Sequence, residues 1–302
     1  MKRYIFYISL LLFSGVFSCG SNNNSNSTPS STPLRFITFG DWGTGDSNQQ
    51  SVANLAKNIC KSNSCDFALV LGDNFYPTGV SSTSDPQWQS KYRDMYDVLG
   101  LSFYAVLGNH DWDSPANFQA EIDYSSINSS WKMPFAYYSQ TFPDATNPLL
   151  QIFVINSNDF KTNSDEQNWL SEQIAQSKAK WKFLVFHHPI YSNGSAHTPD
   201  EKQIYPILKP IICNKINLLL SGHDHFFSHL RNETESCGYD QLVIGTGGKS
   251  LYAISPANSA PATILYSEEN FGLGYFSITE EKISFQFYQT NENISYSYHW
   301  PQ

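Results

Sequence analysis

The chain of 302 residues is 40% hydrophobic and 15% aromatic, enough apolar mass to bury one large core or two small ones, which excludes disorder of the whole chain. Eighteen Lys and Arg against 27 Asp and Glu give a net charge of −9 and an isoelectric point near 5.3; no global basic field awaits nucleic acid or anionic lipid, so an anionic substrate must be met locally. Five cysteines with no CxxC pair exclude a disulfide scaffold, a zinc finger and a thioredoxin-like redox motif.

Lys2 and Arg3 precede an uncharged apolar stretch, 4–17, with Ser18 before Cys19. This is the pattern of an export signal, and it is shorter than the roughly 20 residues of a spanning helix. Val16-Phe17-Ser18-Cys19 resembles the lipobox of bacterial lipoproteins, which predicts removal of 1–18 and a lipid on Cys19; plain cleavage and secretion is the alternative. Without Lys2 and Arg3, 16 basic residues face 27 acidic ones, a net −11. Residues 19–33, rich in Ser and Asn and free of charge, read as a flexible tether. Of the remaining cysteines, Cys60, Cys65, Cys213 and Cys237 allow three pairings, and Cys60 with Cys65 and Cys213 with Cys237 is the one favoured here.

From residue 34 onward, short apolar runs alternate with amphipathic stretches, which predicts one α/β domain over 34–302. The runs are LRFITFG (34–40), FALVLGD (67–73), FYAVLGN (103–109), LLQIFVIN (149–156), KFLVFHH (182–188), INLLLSGH (216–223) and QLVIGTG (241–247). Val52, Leu55, Ala56 and Ile59 follow helical spacing behind Ser47 as N-cap. A second helix is expected from Ser164, where Ser164-Asp165-Glu166-Gln167 matches a capping box. YFSITEEKISFQFYQ (275–289) reads as a hairpin turning at Glu280-Glu281-Lys282.

In open α/β sheets, ligand sites gather where strand C-termini open into loops. Here those positions are occupied by Asp41, Asp73, Asn109 with His110, His187, and His223 with His225. Any one Gly-Asp or Gly-Asn pair reads as an ordinary turn. Together they form a set of carboxylate, amide and imidazole donors suited to borderline metals, larger than one ion needs, which points to two ions sharing a carboxylate. Gly247-Gly248-Lys249-Ser250 looks like the end of a P-loop, but the glycine required six positions before Lys249 is Val243, so the match fails.

GDWG (40–43), GDNFY (72–76), GNHD (108–111), FHHP (186–189) and GHDH (222–225), in that order, resemble the calcineurin-like metallophosphoesterases. More narrowly they are similar to purple acid phosphatases of the small, tartrate-resistant type, because Tyr76 supplies a phenolate that most of the superfamily lacks. The resemblance runs from 34 to about 248 and implies a metallophosphoesterase β-sandwich flanked by helices. It implies one iron site made by Asp41, Asp73, Tyr76 and His225, and a second site made by Asp73, Asn109, His187 and His223. The cofactor implied is two metal ions per chain, Fe(III) with Fe(II), Zn or Mn. His110 would contact phosphate and help protonate the leaving group, oriented by Asp111. His197 would be a second proton donor, one residue further from His187 than the family places it.

His188 is expected to point away from the site if its strand continues through it, as a packing or surface histidine, Asp224 to shape its loop or support neighbouring side chains rather than bind metal, and His229 and His299 to be structural or exposed. The expected activity is hydrolysis of small phosphomonoesters through in-line attack by a hydroxide held at the dinuclear centre. The expected molecule is a secreted or lipid-anchored monomer without nucleic-acid partners. Two alternatives stand beside it: a phosphodiesterase or nucleotide pyrophosphatase on the same site, decided by rim loops 78–88, 113–131 and 191–201, and a surface lipoprotein with a binding or redox role.

Overall fold

The structure is a computed structural model that describes residues 32–112, 115–197, 203–232, 239–255 and 262–302. The export signal, Cys19, the tether up to residue 31 and Cys237 lie outside the described residues. The segment Thr32–Gln302 forms one unit.

The first strands follow the apolar runs: β1 (Leu34–Phe39), β2 (Phe67–Val70) and β3 (Ser102–Ala105). Between the first two lies α1 (Ser47–Asn63). A helical stretch then passes from a π turn (Trp88–Arg93) through α2 (Asp94–Tyr96) to a 3₁₀ turn (Asp97–Leu99). After β3 come α3 (Asn109–Trp112), α4 (Pro115–Tyr124) and β4 (Trp131–Lys132). Next are β5 (Tyr138–Pro143), β6 (Pro148–Val154), α5 (Ser164–Gln176), β7 (Trp181–Val185), α6 (Tyr205–Ile212) and β8 (Leu218–Ser221). The chain closes with β9 (Phe227–Arg231), β10 (Asp240–Ile244), β11 (Thr263–Glu268), β12 (Gly272–Ile278), β13 (Lys282–Gln289) and β14 (Ile294–Pro301).

These strands make two seven-stranded sheets among the described residues, ordered β14-β13-β12-β1-β2-β3-β4 and β11-β9-β10-β8-β7-β6-β5. In each, a parallel block, β1-β2-β3-β4 or β6-β7-β8-β10, lies beside antiparallel strands. The sheets pack face to face over Phe36, Phe67, Leu69, Ile152, Phe183, Leu220, Phe227 and Phe276. The opposite face of the first sheet, with Ile37, Phe39 and Val70, packs under α1 and the 88–99 turns, and that of the second, with Phe153, Leu184 and Leu219, under α5 and α6. The parallel strands are therefore covered on both faces, which is why they read as near-continuous apolar runs. The α/β class and the flanked sandwich expected from the sequence are the architecture of the molecule.

α5 starts at Ser164 as expected, but the capping residue of each predicted helix shifts by one. The N-cap of α1 is Asp46, whose carboxylate accepts from the Asn48 and Gln49 amides. That of α5 is Asn163, which accepts from Glu166 N–H. Glu166 closes no capping box: it turns inward and accepts the Asn156 amide at 2.7 Å. The hairpin turn falls where expected, between β12 and β13. The Cys60–Cys65 disulfide is formed at the end of α1. Among the described residues no helix is long and apolar enough to cross a membrane.

Candidate metal centre

The two parallel blocks present their C-terminal ends to one place. Asp41 follows β1, Asp73 follows β2 and Asn109 follows β3, all in the first sheet, while His187 follows β7 and His223 and His225 follow β8 in the second. The turns are tight enough that Asp41, Asp73 and His223 adopt positive φ angles of 59°, 51° and 69°. Gly108 has no room for a side chain, since a Cβ there would lie 2.1 Å from Asp73 Oδ1.

One oxygen of each carboxylate faces Tyr76. Its hydroxyl donates to Asp73 Oδ2 at 2.7 Å and lies 3.0 Å from Asp41 Oδ1 and 3.2 Å from His225 Nε2. His225 Nε2 is 3.2 Å from Asp41 Oδ1, while its Nδ1 donates to the Ser250 carbonyl at 2.8 Å, which fixes the ring. Asp41, Asp73 and His225 thus offer three ligand atoms within 4.8 Å of one another.

The second oxygen of Asp73 faces elsewhere. Oδ1 accepts the His110 amide at 2.9 Å and lies 3.4 Å from His187 Nε2. His187 Nδ1 donates to the Leu71 carbonyl at 2.8 Å, leaving Nε2 fully buried with no hydrogen-bond partner. A buried polar atom without a partner is costly, and an imidazole nitrogen aimed at two carboxylates fits a metal ligand. Asn109 Oδ1 meets His223 Nδ1 at 2.9 Å, and the His223 ring packs 5.1 Å from His187.

Electrostatics agree with this donor set. Burial alone would raise the Asp73 carboxyl; the charge of His187, then that of His110, outweighs it and holds Asp73 well below the carboxylate range. Burial likewise opposes a proton on His187, yet Asp73 and Asp41 raise it to about 10. Tyr76 is pushed above its ordinary value by burial and then by the two carboxylates. The metal-free centre therefore holds protons that cations would displace.

His110 lies at the edge of the centre, its ring 4.5 Å from that of Tyr76. Asp111 does not orient it. The His110 Nδ1 contacts the Pro77 carbonyl at 2.6 Å, whereas Asp111 is buried and accepts from the Gly108, Asn74 and Phe75 amides at 2.8, 2.9 and 3.3 Å. In a short helix the side chain after an outward histidine turns inward, where it ties the second and third loops together. Burial, then the Asp73 charge, raise Asp111 to about 7.

His197 stacks on His223 at 4.0 Å, and Asp224 accepts from its Nδ1 at 2.9 Å. The Asp224 hydrogen bond raises His197 above its ordinary value. Asp224, expected to shape its loop or to support neighbouring side chains rather than bind metal, also accepts from Ser192 Oγ. His188 does not point away: β7 ends at Val185, so strand alternation stops before it, and its ring packs 4.4 Å from His223 with Nδ1 bonded to Ser157 Oγ. His229 is a buried partner of Asp240, and His299 is exposed. The rim segment 113–131 contains α4 rather than a plain loop, and part of 191–201 lies outside the described residues.

Sequence reasoning missed Asn74, whose buried amide donates to the Val106 carbonyl, Asp111 and Glu121. Its position beside Asp73 was the available signal.

Comparison with known proteins identifies the arrangement. The calcineurin-like phosphoesterase family model matches residues 34–227. Tartrate-resistant acid phosphatase type 5 of Homo sapiens is 32% identical over 247 residues, 71% of this chain and 73% of that one. Purple acid phosphatase 17 of Arabidopsis thaliana is 29% identical, covering 83% of this chain and 80% of that one. Among solved structures, GAP50, the anchor in the inner membrane complex of Plasmodium, superposes with a TM-score of 0.76 at 23% identity over 89% of each chain. A purple acid phosphatase from yellow lupin superposes with a TM-score of 0.71 at 12% identity, covering 90% of this chain and 54% of that one; both show the shared fold. The chain belongs to the calcineurin-like phosphoesterases, as a hydrolase whose curated relatives are tartrate-resistant and purple acid phosphatases.

Proposed function

We propose that the protein is an acid phosphatase that hydrolyses phosphomonoesters at a dinuclear metal centre, Fe(III) with Fe(II), Zn or Mn. The observation that carries this reading is Asp73, whose two oxygens face two different donor groups, Tyr76 with His225 on one side and His187 on the other. Asp41, Asp73, Tyr76 and His225 would hold the first ion, and Asp73, Asn109, His187 and His223 the second. When bound, the ions supply an activated nucleophile for in-line attack and neutralise charge on the phosphate.

The chain's own residues do the rest. With iron bound, Tyr76 and the carboxylates would form the anionic end of the centre, and the Tyr76 phenolate would give the protein visible colour. His110 and His197 stand at its edge as the groups that contact phosphate and pass a proton to the leaving oxygen. Asp224 holds His197 and favours its protonated form, the one a general acid needs. We further propose export, with a lipid on Cys19; the Cys60–Cys65 disulfide supports an oxidising compartment.

The test is metal content and the visible spectrum of the purified mature protein, with hydrolysis of a monoester and a diester chromogenic substrate at mildly acidic pH. Two metals including iron, a broad visible band and faster monoester turnover are expected. A colourless protein with two manganese or zinc ions that prefers the diester would overturn the phosphomonoesterase assignment.

A further inference from the structure

The Gly247-Gly248-Lys249-Ser250 segment fails as a nucleotide-binding loop, yet it directly follows β10 and lies against the metal centre. Its backbone is fixed on the turn that carries Asp41: Gly247 N–H donates to the Gly40 carbonyl and Lys249 N–H to the Asp41 carbonyl, both at 2.9 Å. A Cβ on Gly247 would come within 2.5 Å of that Gly40 oxygen, so the approach needs glycine. Beyond Lys249, the Ser250 carbonyl accepts from His225 Nδ1, and the Tyr252 ring stacks on His225 at 4.0 Å. The segment is thus a held wall of the site.

From this wall the Lys249 ammonium reaches to 4.8 Å from the centre of the Tyr76 ring, the ring whose hydroxyl lies between Asp41, Asp73 and His225. The side chain is partly exposed, and among the described residues no carboxylate pairs with it. The other nearby lysine, Lys91, already donates to the Tyr76 carbonyl and to Gln87. In a chain of net charge −9, one ammonium held beside the centre and left without a counter-charge has a use.

We propose that Lys249 is a substrate-binding residue, its ammonium meeting the non-bridging phosphate oxygens and favouring phosphomonoesters over diesters. The inference rests on the phosphatase reading above and adds a source of selectivity within it. A phosphomonoester loses its second proton near pH 6 and then carries two charges, whereas a diester carries one. A compact ammonium with three donors therefore gains more from the former.

The experiment compares wild type with Lys249→Met, Lys249→Gln and Lys249→Arg, all metal-loaded, at neutral pH. Inorganic phosphate binding is measured by calorimetry, and kcat and KM with a monoester and a diester chromogenic substrate. Loss of a hydrogen bond to a charged group predicts that Met and Gln weaken phosphate binding and raise monoester KM about tenfold. kcat should change by less than about twofold, diester KM should rise by less than monoester KM, and Arg should stay near wild type. Unchanged phosphate affinity in Met and Gln, with wild-type turnover intact, overturns the inference alone. The same holds if the visible band shifts while phosphate affinity does not, since Lys249 would then serve Tyr76 rather than substrate. Absence of monoester hydrolysis by the wild type overturns the phosphatase reading together with the inference.

Discussion

Asp41, Asp73 and His223 hold φ angles that side-chain-bearing residues rarely adopt, each at a cost of order 1–3 kcal/mol. Their strain aims the donors inward, so their contribution is judged by chemistry rather than stability. Tyr76→Phe removes only a hydroxyl that contacts Asp41, Asp73 and His225. The expected outcome is a folded protein that retains metal but loses its visible band; colour surviving unchanged would remove Tyr76 from the iron site. Asp224→Asn tests the second proton donor. Because the Asp224 hydrogen bond raises His197, and the proposed proton donor is active as the protonated imidazole, activity is expected to fall as pH rises through the His197 value. Weakening that bond lowers the value, so the alkaline limb of the kcat profile should move to lower pH, and kcat should fall within the roughly 10²–10⁴ that general acid catalysis supplies. A profile that only scales down, with its limb in place, would leave Asp224 a purely structural role.

Helix α5 shows what a capping pattern conceals. Ser164 to Gln167 satisfies the pattern, yet Asn163 caps the helix and Glu166 is buried, its carboxyl raised to about 8, chiefly by desolvation. A carboxyl raised on folding contributes stability that is fully present below its unfolded value and is lost as pH rises through the folded one. Wild-type Tm should therefore fall between about pH 5 and 8. Glu166→Gln keeps an acceptor for the Asn156 amide without the charge, so its Tm should stay flatter and exceed wild type at pH 8 by an amount equivalent to about 1–2 kcal/mol. Parallel curves would show that Glu166 is not the group responsible. The same element scale explains what was legible in the sequence. The buried strands β1, β2, β6, β7, β8 and β10 announce themselves as apolar runs, and the candidate ligands sit directly after most of them. By contrast β9 starts only two residues after the candidate ligand His225, α6 is interrupted by Pro206 and Pro210 although Tyr205, Leu208 and Ile212 share its buried face, and β14 (ISYSYHWP) alternates at period two with no buried residue; a reading by long apolar runs passes over all three. The capping choices, the inward turn of Asp111 and the packing of His188 depend on which face a neighbouring loop covers, information that one segment of sequence does not carry.

At the scale of the whole molecule, the donors come from both sheets: Asp41, Asp73, Tyr76 and Asn109 from loops of the first, and His187, His223 and His225 from loops of the second. Ions held between them would staple the sandwich along the edge where its two parallel blocks open. Metal held at about a thousand times its dissociation constant stabilises by roughly 4 kcal/mol. For a domain of this size that corresponds to a Tm loss on chelation of roughly 10 °C. The metal-free protein should still fold, because His187, raised to about 10, keeps its proton and offsets Asp73. That same proton competes with metal. As pH falls the competition strengthens, so the Tm gap between metal-loaded and chelated protein, measured at fixed total metal, should narrow toward acid. A chelated protein that melts with the loaded one at neutral pH, or a gap that is constant from neutral to acid pH, would show that the cluster of Asp41, Asp73 and His187 does not join the two sheets through a metal.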